Sequence, residues 1–292
     1  NLLKKMFKKH QPDFVFHLAA QSLVKKSYSD PIYTWETNTI GTLNVLESLR
    51  ELKKKCIAIL ITSDKSYRNL EIQRGYKEDD ILGGKDPYSA SKACADLTIS
   101  SYVDSFFKIK KTRVFVGVAR AGNVIGGGDW SDNRLIPDCV KAWSRQKEVL
   151  IRNPNSTRPW QHVFEVVWGY LLFAAKLEKN KKLHGHVFNF GPKNKNNFRV
   201  ISVIKSIKKV WKNISWKILK EDKNFYESNL LKLNNSKAKN ILKWKSILSF
   251  EETTKLVAEW YKFYYSKETN IYHFSLSQIK KYEKLINERS IR

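Results

Sequence analysis

Unbroken apolar runs alternate with helical stretches through the first half of the chain. Residues 13–20, 56–62 and 113–119 each have the continuous apolar character of a parallel strand that is buried on both faces. Residues 31–52 and 88–107 lie between these runs and predict two long helices. Strand and helix therefore alternate, which predicts an α/β fold built on a doubly wound parallel sheet.

The pattern changes after residue 128, where separate helices and short strands replace the regular alternation. We expect helices over residues 134–143, 163–177, 200–211 and 250–265, a strand over 187–190, a loop over 152–162, and a short strand then a helix within 231–244. Residues 278–292 are polar and basic, and we expect them to fray. These changes predict a sheet domain of residues 1–128, joined by about 163–190, and a smaller α+β domain, mainly 129–292.

Small or polar side chains follow each predicted strand. Ser63, Asp64 and Lys65 come directly after the second apolar run. A hydroxyl, a carboxylate and an ammonium at a strand exit are typical of an active site in an open parallel sheet, where ligands bind at the carboxyl ends of the strands. Ala19 and Ala20 end the first run, where small side chains let a ligand approach the backbone. The alternatives are a polar turn with a helix cap and ordinary tight packing.

Tyr88 and Lys92 are spaced by four residues, which places them on one face of a helix. Asp86 and Pro87 favour a helix that begins here, because both residue types suit a first turn. An ammonium beside a phenol stabilises the phenolate and lowers the pKa of the phenol. The pair therefore suits a general base that removes a proton from an alcohol. The alternative is a surface helix with a solvated lysine.

The net charge of +26 is the most unusual feature of the composition. Such a charge is common in proteins that bind nucleic acid or acidic surfaces. The excess lysines are nevertheless scattered in short groups, at Lys4, Lys5, Lys8, Lys9, 53–55, Lys179, Lys181 and Lys182. No nucleic-acid motif accompanies them, so we interpret them as solvated surface and expect no nucleic-acid partner. The charge still favours anionic ligands such as a diphosphate.

The three cysteines, Cys56, Cys94 and Cys139, form neither a metal-binding pattern nor a disulfide framework. Free thiols suit a reducing cytoplasm. No apolar run reaches the length of a membrane span, so we expect no membrane partner. The sequence therefore predicts a cytoplasmic globular protein without a metal site.

An arginine-rich stretch in the second half is a candidate phosphate site. Arg152 and Arg158 suit bidentate contacts with phosphate oxygens. Trp160 offers a flat apolar surface to a base or a sugar, and His162 follows it closely. The alternative is a surface loop with a buried tryptophan.

Five motifs together resemble the extended short-chain dehydrogenase/reductase family, which includes the NAD-dependent epimerases and dehydratases. They are His17–Gln21, Thr62–Lys65, Asp86–Lys92, Arg120–Trp130 and Arg158–His162. The runs Gly126–Trp130 and Arg158–His162 are similar to the branch of 4,6-dehydratases that acts on CDP-glucose. Lys65 supports that branch, because the dTDP-glucose branch usually has a glutamate there. The resemblance spans about residues 11–282 and implies a Rossmann-type sheet that binds NAD and a nucleotide-sugar substrate.

The resemblance implies a hydro-lyase reaction of deoxysugar biosynthesis, as in lipopolysaccharide O-antigen synthesis. Tyr88 would take the proton of the sugar 4-hydroxyl while C4 passes hydride to NAD, and Lys92 would lower the pKa of Tyr88 and hold the nicotinamide ribose. Ser63 would form a hydrogen bond with the 4-oxygen. Lys65 would be the base at C5, and Asp64 the acid for the departing 6-hydroxyl. Hydride would then return to C6, giving CDP-4-keto-6-deoxyglucose.

The resemblance also implies two sets of binding residues. Contacts with NAD are expected from Ala19, Ala20, Gln21, Asn38, Thr62, Tyr88, Lys92, Ala121, Asn123 and Val124. Contacts with the nucleotide sugar are expected from Asn123, Arg134, Leu135, Arg152, Arg158 and His162. The expected assembly is a homodimer or homotetramer.

The start of the chain departs from the family pattern. Family members begin with a strand, a Gly-rich turn and a helix that bind the NAD pyrophosphate, and no Gly-x2-Gly-x2-Gly occurs near residue 1. We therefore expect an N-terminally incomplete chain whose sheet lacks its first strands and which does not hold NAD by itself. The alternatives are another NAD-dependent epimerase, decarboxylase or dehydratase for dTDP- or GDP-sugars, an inactive fragment, and a basic binding protein with the same fold.

Overall fold

The computed structural model describes residues 2–109, 112–151, 153–192, 198–219, 230–266 and 270–290. The helices are α1 (Leu2–His10), α2 (Val24–Ser29), α3 (Pro31–Trp35), α4 (Gly41–Leu49), α5 (Pro87–Tyr102), α6 (Leu135–Trp143), α7 (Val163–Lys179), α8 (Val200–Lys208), α9 (Phe250–Tyr265) and α10 (Ile271–Ser290). The strands are β1 (Phe14–His17), β2 (Cys56–Ile61), β3 (Val114–Ala121), β4 (Val124–Ile125), β5 (Val149–Ile151), β6 (Thr157–Arg158), β7 (Gln161–His162), β8 (Val187–Phe190), β9 (Phe198–Arg199) and β10 (Trp216–Ile218).

The chain forms two compact units. Unit 1 comprises Asn1–Gly122, Trp168–Phe190 and Leu233–Trp244. Unit 2 comprises Asn123–Val167, Gly191–Lys232 and Lys245–Arg292.

Unit 1 is built on a parallel sheet with the strand order β1-β2-β3-β8. Ile57 of β2 is paired with Phe14 on one side and Phe115 on the other, and β3 continues the sheet through Val118, which is paired with Val187. Every residue of β3 is buried, which explains its unbroken apolar sequence. The predicted parallel α/β sheet is confirmed. Among the described residues β1 pairs with β2 alone and so forms one edge.

The two long helices predicted in unit 1 are present, and each contains a π-helical turn. Helix α3, the π turn Glu36–Ile40 and α4 form one helical segment, and α5 continues into the π turn Val103–Phe107. On α4, Leu46 and Leu49 are fully buried and belong to the same apolar core as the β2 and β3 side chains. These helices hold the polar residues that follow β1 and β2 in fixed positions.

Unit 2 has its own apolar core between α6, α8 and α9. Trp143 of α6, Ile204 of α8, and Val257 and Tyr261 of α9 are all buried there. A capping box at Ser249 starts α9. The Ser249 hydroxyl accepts the amide proton of the third helical residue, and the carboxylate of that residue accepts the Ser249 amide proton. Strands β5 and β10 pair in parallel at the side of this core, although the sequence predicted neither strand.

Three predictions for the second half differ from the structure. Residues 278–290 do not fray, since they belong to α10 and bury Gln278 and Tyr282 in unit 2. The predicted loop over 152–162 contains β6 and β7, which pair with β9 and β4. Within 231–244 a β-bridge at Leu233 replaces the predicted strand, and a π turn follows at Ala238–Leu242. None of the helices in the described residues combines the length and apolar character that a bilayer span requires.

Candidate active site

The polar residues that follow β2 form a tight turn at the carboxyl edge of the unit 1 sheet. Ser63 caps the 3₁₀ turn Asp64–Ser66, because its Oγ accepts the Lys65 amide proton at 3.2 Å. The Ser63 hydroxyl also lies 3.0 Å from Asp64 Oδ1, to which it donates. Ser63 and Asp64 are buried and Lys65 is half-buried. The cap expected as the alternative reading is therefore present, and it orients the Ser63 hydroxyl.

Helix α5 brings Tyr88 to Ser63. The Asp86 carboxylate caps the helix by accepting the Ser89 amide proton at 2.9 Å, and Pro87 occupies the first helical position. The Tyr88 hydroxyl lies 3.4 Å from Ser63 Oγ, a long hydrogen bond between two buried side chains. The two hydroxyls can therefore share one ligand oxygen between them.

Lys92 lies one turn further along α5, and its ammonium is buried. Nζ donates to the Ile61 carbonyl at 3.3 Å, at the last residue of β2. Burial lowers the pKa of Lys92 to about 8, although the nearby Asp96 carboxylate opposes this shift. The alternative of a solvated surface lysine is therefore wrong for this residue.

His17, the last residue of β1, is a neighbour of Lys92 that the sequence did not single out for chemistry. Burial, together with the Lys92 charge, lowers the pKa of His17 to about 4. Its Nε2 lies 3.3 Å from Thr42 Oγ1. The imidazole is thus neutral near pH 7 and adds no second positive charge beside Lys92.

A buried ion pair lies close to the candidate catalytic side chains. Arg120 donates to Asp96 through Nε at 2.8 Å and through a terminal nitrogen at 2.7 Å, and both side chains are only 3% exposed. Thr62 Oγ1 donates to the same carboxylate at 2.7 Å. Since Thr62 precedes Ser63 and Asp96 is one turn from Lys92, the pair fixes both segments that carry the candidate site.

The ion pair continues into a neutral network. The Arg120 guanidinium also donates to the Tyr67 hydroxyl at 2.8 Å, and this hydroxyl donates to Asn189 Oδ1 at 2.7 Å. Asn189 belongs to β8, so the network joins the ends of β2, β3 and β8. Networks of this kind are rigid when all their members are bonded.

Gly122, just after β3, gives the Asp64 carboxylate room. A Cβ built on Gly122 would lie 1.8 Å from Asp64 Oδ2, far inside any permitted contact. The absence of a side chain at this position is therefore a condition for the observed position of Asp64.

Gln21 and Asn38, both predicted to contact NAD, bind each other. The Gln21 backbone N–H donates to Asn38 Oδ1 at 2.9 Å. Asn38 Nδ2 donates to the Gln21 backbone carbonyl at 3.0 Å and to Ser91 Oγ at 2.9 Å. These bonds hold the segment after β1 against α5. Ala19, exposed, and Ala20, half-buried, lie between β1 and this clamp.

The remaining predicted binding residues begin at the end of β3. Ala121 is its last residue and is buried. In unit 2, Asn123 has a left-handed backbone with φ 47° and accepts the Gln161 amide proton at 3.2 Å, and Val124 pairs with Gln161 in the β4–β7 ladder.

The predicted substrate residues of unit 2 have separate surroundings. Arg134 lies 3.2 Å from the Asp129 carboxylate, and Leu135 packs on the unit 2 core. Arg158 and His162 are buried in β6 and β7, and Arg158 donates to the Thr157 carbonyl at 2.9 Å. Arg152 lies outside the described residues.

Sequence reasoning missed Asp96 and Arg120 as part of the site. The only available signal for Asp96 was its spacing of four residues from Lys92, which repeats the Tyr88–Lys92 spacing on the same helix. Arg120 was named only as the first residue of the Arg120–Trp130 motif. The available signal for its pairing was a charge at the end of an apolar strand, where arginine is rare unless it is paired.

Comparisons of the sequence with known proteins identify its relatives. The sequence profile of the GDP-mannose 4,6-dehydratase family matches residues 1–257. The chain is 39% identical over 264 residues to CDP-glucose 4,6-dehydratase from Salmonella typhimurium, covering 89% of this chain and 73% of that protein. It is 29% identical over 209 residues to UDP-glucose 4-epimerase from Mycoplasma pneumoniae, covering 67% and 61%.

Solved structures show the same fold. UDP-glucose 4-epimerase from Thermotoga maritima, solved with UDP-glucose, has a TM-score of 0.76 at 25% identity, covering 89% of this chain and 81% of that one. dTDP-glucose 4,6-dehydratase from Bacillus anthracis, in complex with NAD, has a TM-score of 0.70 at 23% identity, covering 89% and 76%.

Proposed function

The chain belongs to the GDP-mannose 4,6-dehydratase family, and on that premise we propose that it is a hydro-lyase that converts CDP-glucose to CDP-4-keto-6-deoxyglucose. The observation that carries the proposal is the hydrogen-bonded row Tyr88–Ser63–Asp64, with contacts of 3.4 and 3.0 Å. Two hydroxyls serve oxidation of an alcohol, and an adjacent carboxylate with Lys65 adds the acid and base that loss of water requires. The 39% identity to the Salmonella enzyme supports CDP-glucose as the substrate.

In the first step, Tyr88 takes the proton of the sugar 4-hydroxyl while Ser63 forms a hydrogen bond with the same oxygen. Lys92 stabilises the phenolate, since an ammonium whose pKa is about 8 is still mostly charged near pH 7. His17, neutral at that pH, does not compete with this charge.

In the second step, C5 loses a proton and C6 loses its hydroxyl, so that water is eliminated. The 4-ketone makes the C5 proton acidic, Lys65 removes it as the base, and Asp64 gives a proton to the 6-hydroxyl, which departs as water. Gly122 keeps Asp64 in position for this role, because any side chain there would collide with the carboxylate.

NAD fits the residues at the carboxyl edge of the sheet. The small side chains of Ala19 and Ala20 leave the backbone open after β1, and Lys92 offers a buried ammonium to a ribose. We propose that Thr62, Ala121, Asn123 and Val124 line the same cofactor, with Gln21 and Asn38 shaping its position through their mutual bonds. When bound, NAD supplies the acceptor and the later donor of hydride, so the overall redox state is unchanged.

For the substrate we propose Asn123, Arg134, Leu135, Arg152, Arg158 and His162. His162 carries structural support. Its Nδ1 accepts the Phe164 amide proton at 3.2 Å, so the neutral ring has its proton on Nε2. That nitrogen is buried without an acceptor among the described residues. A substrate oxygen would satisfy it.

Replacing Tyr88 by Phe tests the function. In the full-length protein, kcat with CDP-glucose and NAD should fall by roughly 10²–10⁴-fold, while the Kd for CDP-glucose changes little. Tyr272→Phe, at a tyrosine that is 66% exposed, is the matched control. Activity of Tyr88→Phe within a few-fold of the parent contradicts the assignment. Proton NMR of the product separates a 6-deoxy sugar from the C4 epimer that the rival function would give.

Lys65→Met tests the second step separately. The variant should still oxidise C4 but should no longer exchange the C5 proton with deuterated solvent. Lys85→Met, in the same loop, is the control. Exchange at the parent rate in Lys65→Met would assign the base to another residue.

We further propose a cytoplasmic homodimer. Exposed apolar side chains on the α3–α4 segment and on α5, such as Ile32 at 71%, Ile40 at 47% and Leu97 at 56%, are candidates for its interface. Light scattering after size-exclusion chromatography should give a dimer mass for the parent and a monomer mass for Leu97→Asp. A monomeric parent would contradict the proposal.

A further inference from the structure

The lysines that are scattered in the sequence are gathered by the fold at one edge of the unit 1 sheet. In a parallel sheet, the segments that lead into the strands all lie at the edge opposite the carboxyl ends. Here those segments are residues 8–13, 50–55, 104–113 and 176–186, which we call the amino edge. Their described residues hold twelve lysines and arginines and four carboxylates.

Contacts between these segments make the amino edge one continuous surface. The Lys53 amide donates to Gln11 Oε1 at 2.8 Å, and the Arg113 guanidinium donates to the Lys53 carbonyl. Lys55 Nζ donates to the Glu178 carbonyl at 3.3 Å. The second segment is thus bonded to each of the other three, and most of their lysine side chains are exposed.

Composition alone does not explain this arrangement. A general drift of the sequence towards lysine would load both edges of the sheet alike. At the opposite edge, however, the long segment 62–86 that leaves β2 holds five lysines and arginines and six carboxylates. The positive charge of unit 1 is therefore concentrated where the strands begin.

We propose that the amino edge binds an anionic lipid surface. The exposed cations are mostly lysines, at Lys8, Lys9, 53–55, Lys108, Lys179, Lys181 and Lys182. Lysine clusters attract anionic headgroups as point charges, whereas arginine forks are favoured in specific nucleic-acid contacts. Strands about 4.8 Å apart spread the cations over roughly 15 Å, which suits several headgroups better than one phosphate.

Apolar side chains among the lysines favour lipid over nucleic acid. Ile109 is 58% exposed next to Lys108, and Phe106, 37% exposed, lies one turn earlier. An aliphatic side chain has no partner on a polynucleotide backbone, but it can enter the boundary between headgroups and acyl chains. The absence of a long apolar segment, from which the sequence predicted no membrane partner, does not exclude this mode, because electrostatic attachment needs none.

The test is co-sedimentation of the full-length protein with phosphatidylcholine vesicles, with and without phosphatidylglycerol. The variant Lys53→Gln, Lys54→Gln, Lys182→Gln removes three charges from the amino edge and keeps the Lys55–Glu178 contact. The matched control, Lys205→Gln, Lys209→Gln, Lys212→Gln, removes three exposed charges from α8 and its C-terminal end in unit 2. Unchanged thermal melting shows that both variants are folded.

We expect binding to vesicles with phosphatidylglycerol only, decreasing with salt and lowered roughly a hundredfold by the amino-edge variant. The control variant should bind like the parent. Equal losses in the two variants would mean that only net charge matters and would overturn the proposal, as would no binding to anionic vesicles. Tighter binding to a single-stranded RNA oligonucleotide, abolished by the amino-edge variant, would assign the surface to nucleic acid instead.

Discussion

Asp96 in unit 1 and Glu165 in unit 2 are both buried carboxylates, and the two are held in different ways. In unit 1, Asp96 accepts hydrogen bonds from two nitrogens of the Arg120 guanidinium, at 2.8 and 2.7 Å. In unit 2, Glu165 receives the amide protons of Ile247 and Leu248, at 2.9 and 2.6 Å, and the Tyr282 hydroxyl at 3.1 Å. One carboxylate therefore has a full positive charge beside it, and the other has neutral donors.

The difference decides what pH does to each site. Burial raises the pKa of Glu165 to about 7, although its amide and hydroxyl donors oppose the shift. Burial alone would lower the pKa of Arg120, but the hydrogen bonds and the charge of Asp96 outweigh burial, so the pKa lies above its usual value. Arg120 thus keeps its charge at any ordinary pH, whereas Glu165 gains or loses a proton near neutrality.

The largest expected effect comes from breaking the unit 1 pair. Arg120→Met leaves the Asp96 carboxylate buried without a cation, which should lower the free energy of unfolding by about 3–5 kcal/mol. Urea denaturation measures it. The double variant Arg120→Met, Asp96→Leu removes both charges and should recover most of the loss. A single variant as stable as the parent would show that Arg120 is not needed to neutralise Asp96.

The next effect is the pH dependence of unit 2. A carboxyl whose pKa is higher in the folded state binds more protons there, so stability falls as the pH rises from about 4.5 to about 7. The slope is at most about 1.4 kcal/mol per pH unit, or about 3 kcal/mol over this window. Glu165→Gln should flatten the curve, and Glu283→Gln, at an exposed glutamate, should not. Parallel curves for parent and Glu165→Gln would refute the shift.

A smaller change in unit 1 sharpens the comparison. Thr62→Val removes the 2.7 Å hydrogen bond to Asp96 and leaves the ion pair intact. Bonds to charged groups contribute about 1.5–3 kcal/mol, and we expect a loss at the lower end because Arg120 remains. Thr39→Val, which removes a bond to the Ser91 carbonyl, is a control for loss of a hydroxyl. A loss as large as that of Arg120→Met would mean that Thr62 is essential to the pair.

The smallest effect is expected from Tyr282→Phe in unit 2. It removes one of several neutral donors to Glu165, and the free energy of unfolding should fall by about 1 kcal/mol at pH 6. The loss should grow above pH 7, where the carboxylate is charged and a missing donor matters more. A pH-independent loss would indicate that Tyr282 contributes packing alone.

Much of the unit 1 fold could be predicted because its signals are local. The unbroken runs at β2 and β3 and the Asp86–Pro87 start of α5 each lie within a few neighbouring residues, and the structure confirms them. Strand β5 is only three residues long, and α10 buries just one face, so neither rises above a polar background.

The candidate site was predictable to the same extent. Ser63 and Tyr88 flank signals that the chain displays locally, and the structure brings them together, while their catalytic roles stay predictions. The Asp96–Arg120 pair joins residues 24 positions apart, and the lysines of the amino edge meet only after four strands align. Such convergence depends on the order of the strands, which no local pattern contains.

The π turn at Glu36–Ile40 changes the direction in which the side chains of the following helix point. Thr34, before the turn, and Asn38, within it, must face Gln21 and α5, while after the turn Leu46 and Leu49 must face the core. A straight α-helix turns by about 100° per residue, so the extra residue of a π turn resets the direction of everything that follows. Deleting Thr39 would therefore leave the helix continuous but force a choice between its two faces, and a one-residue deletion here should be worse than a two-alanine substitution at the same place.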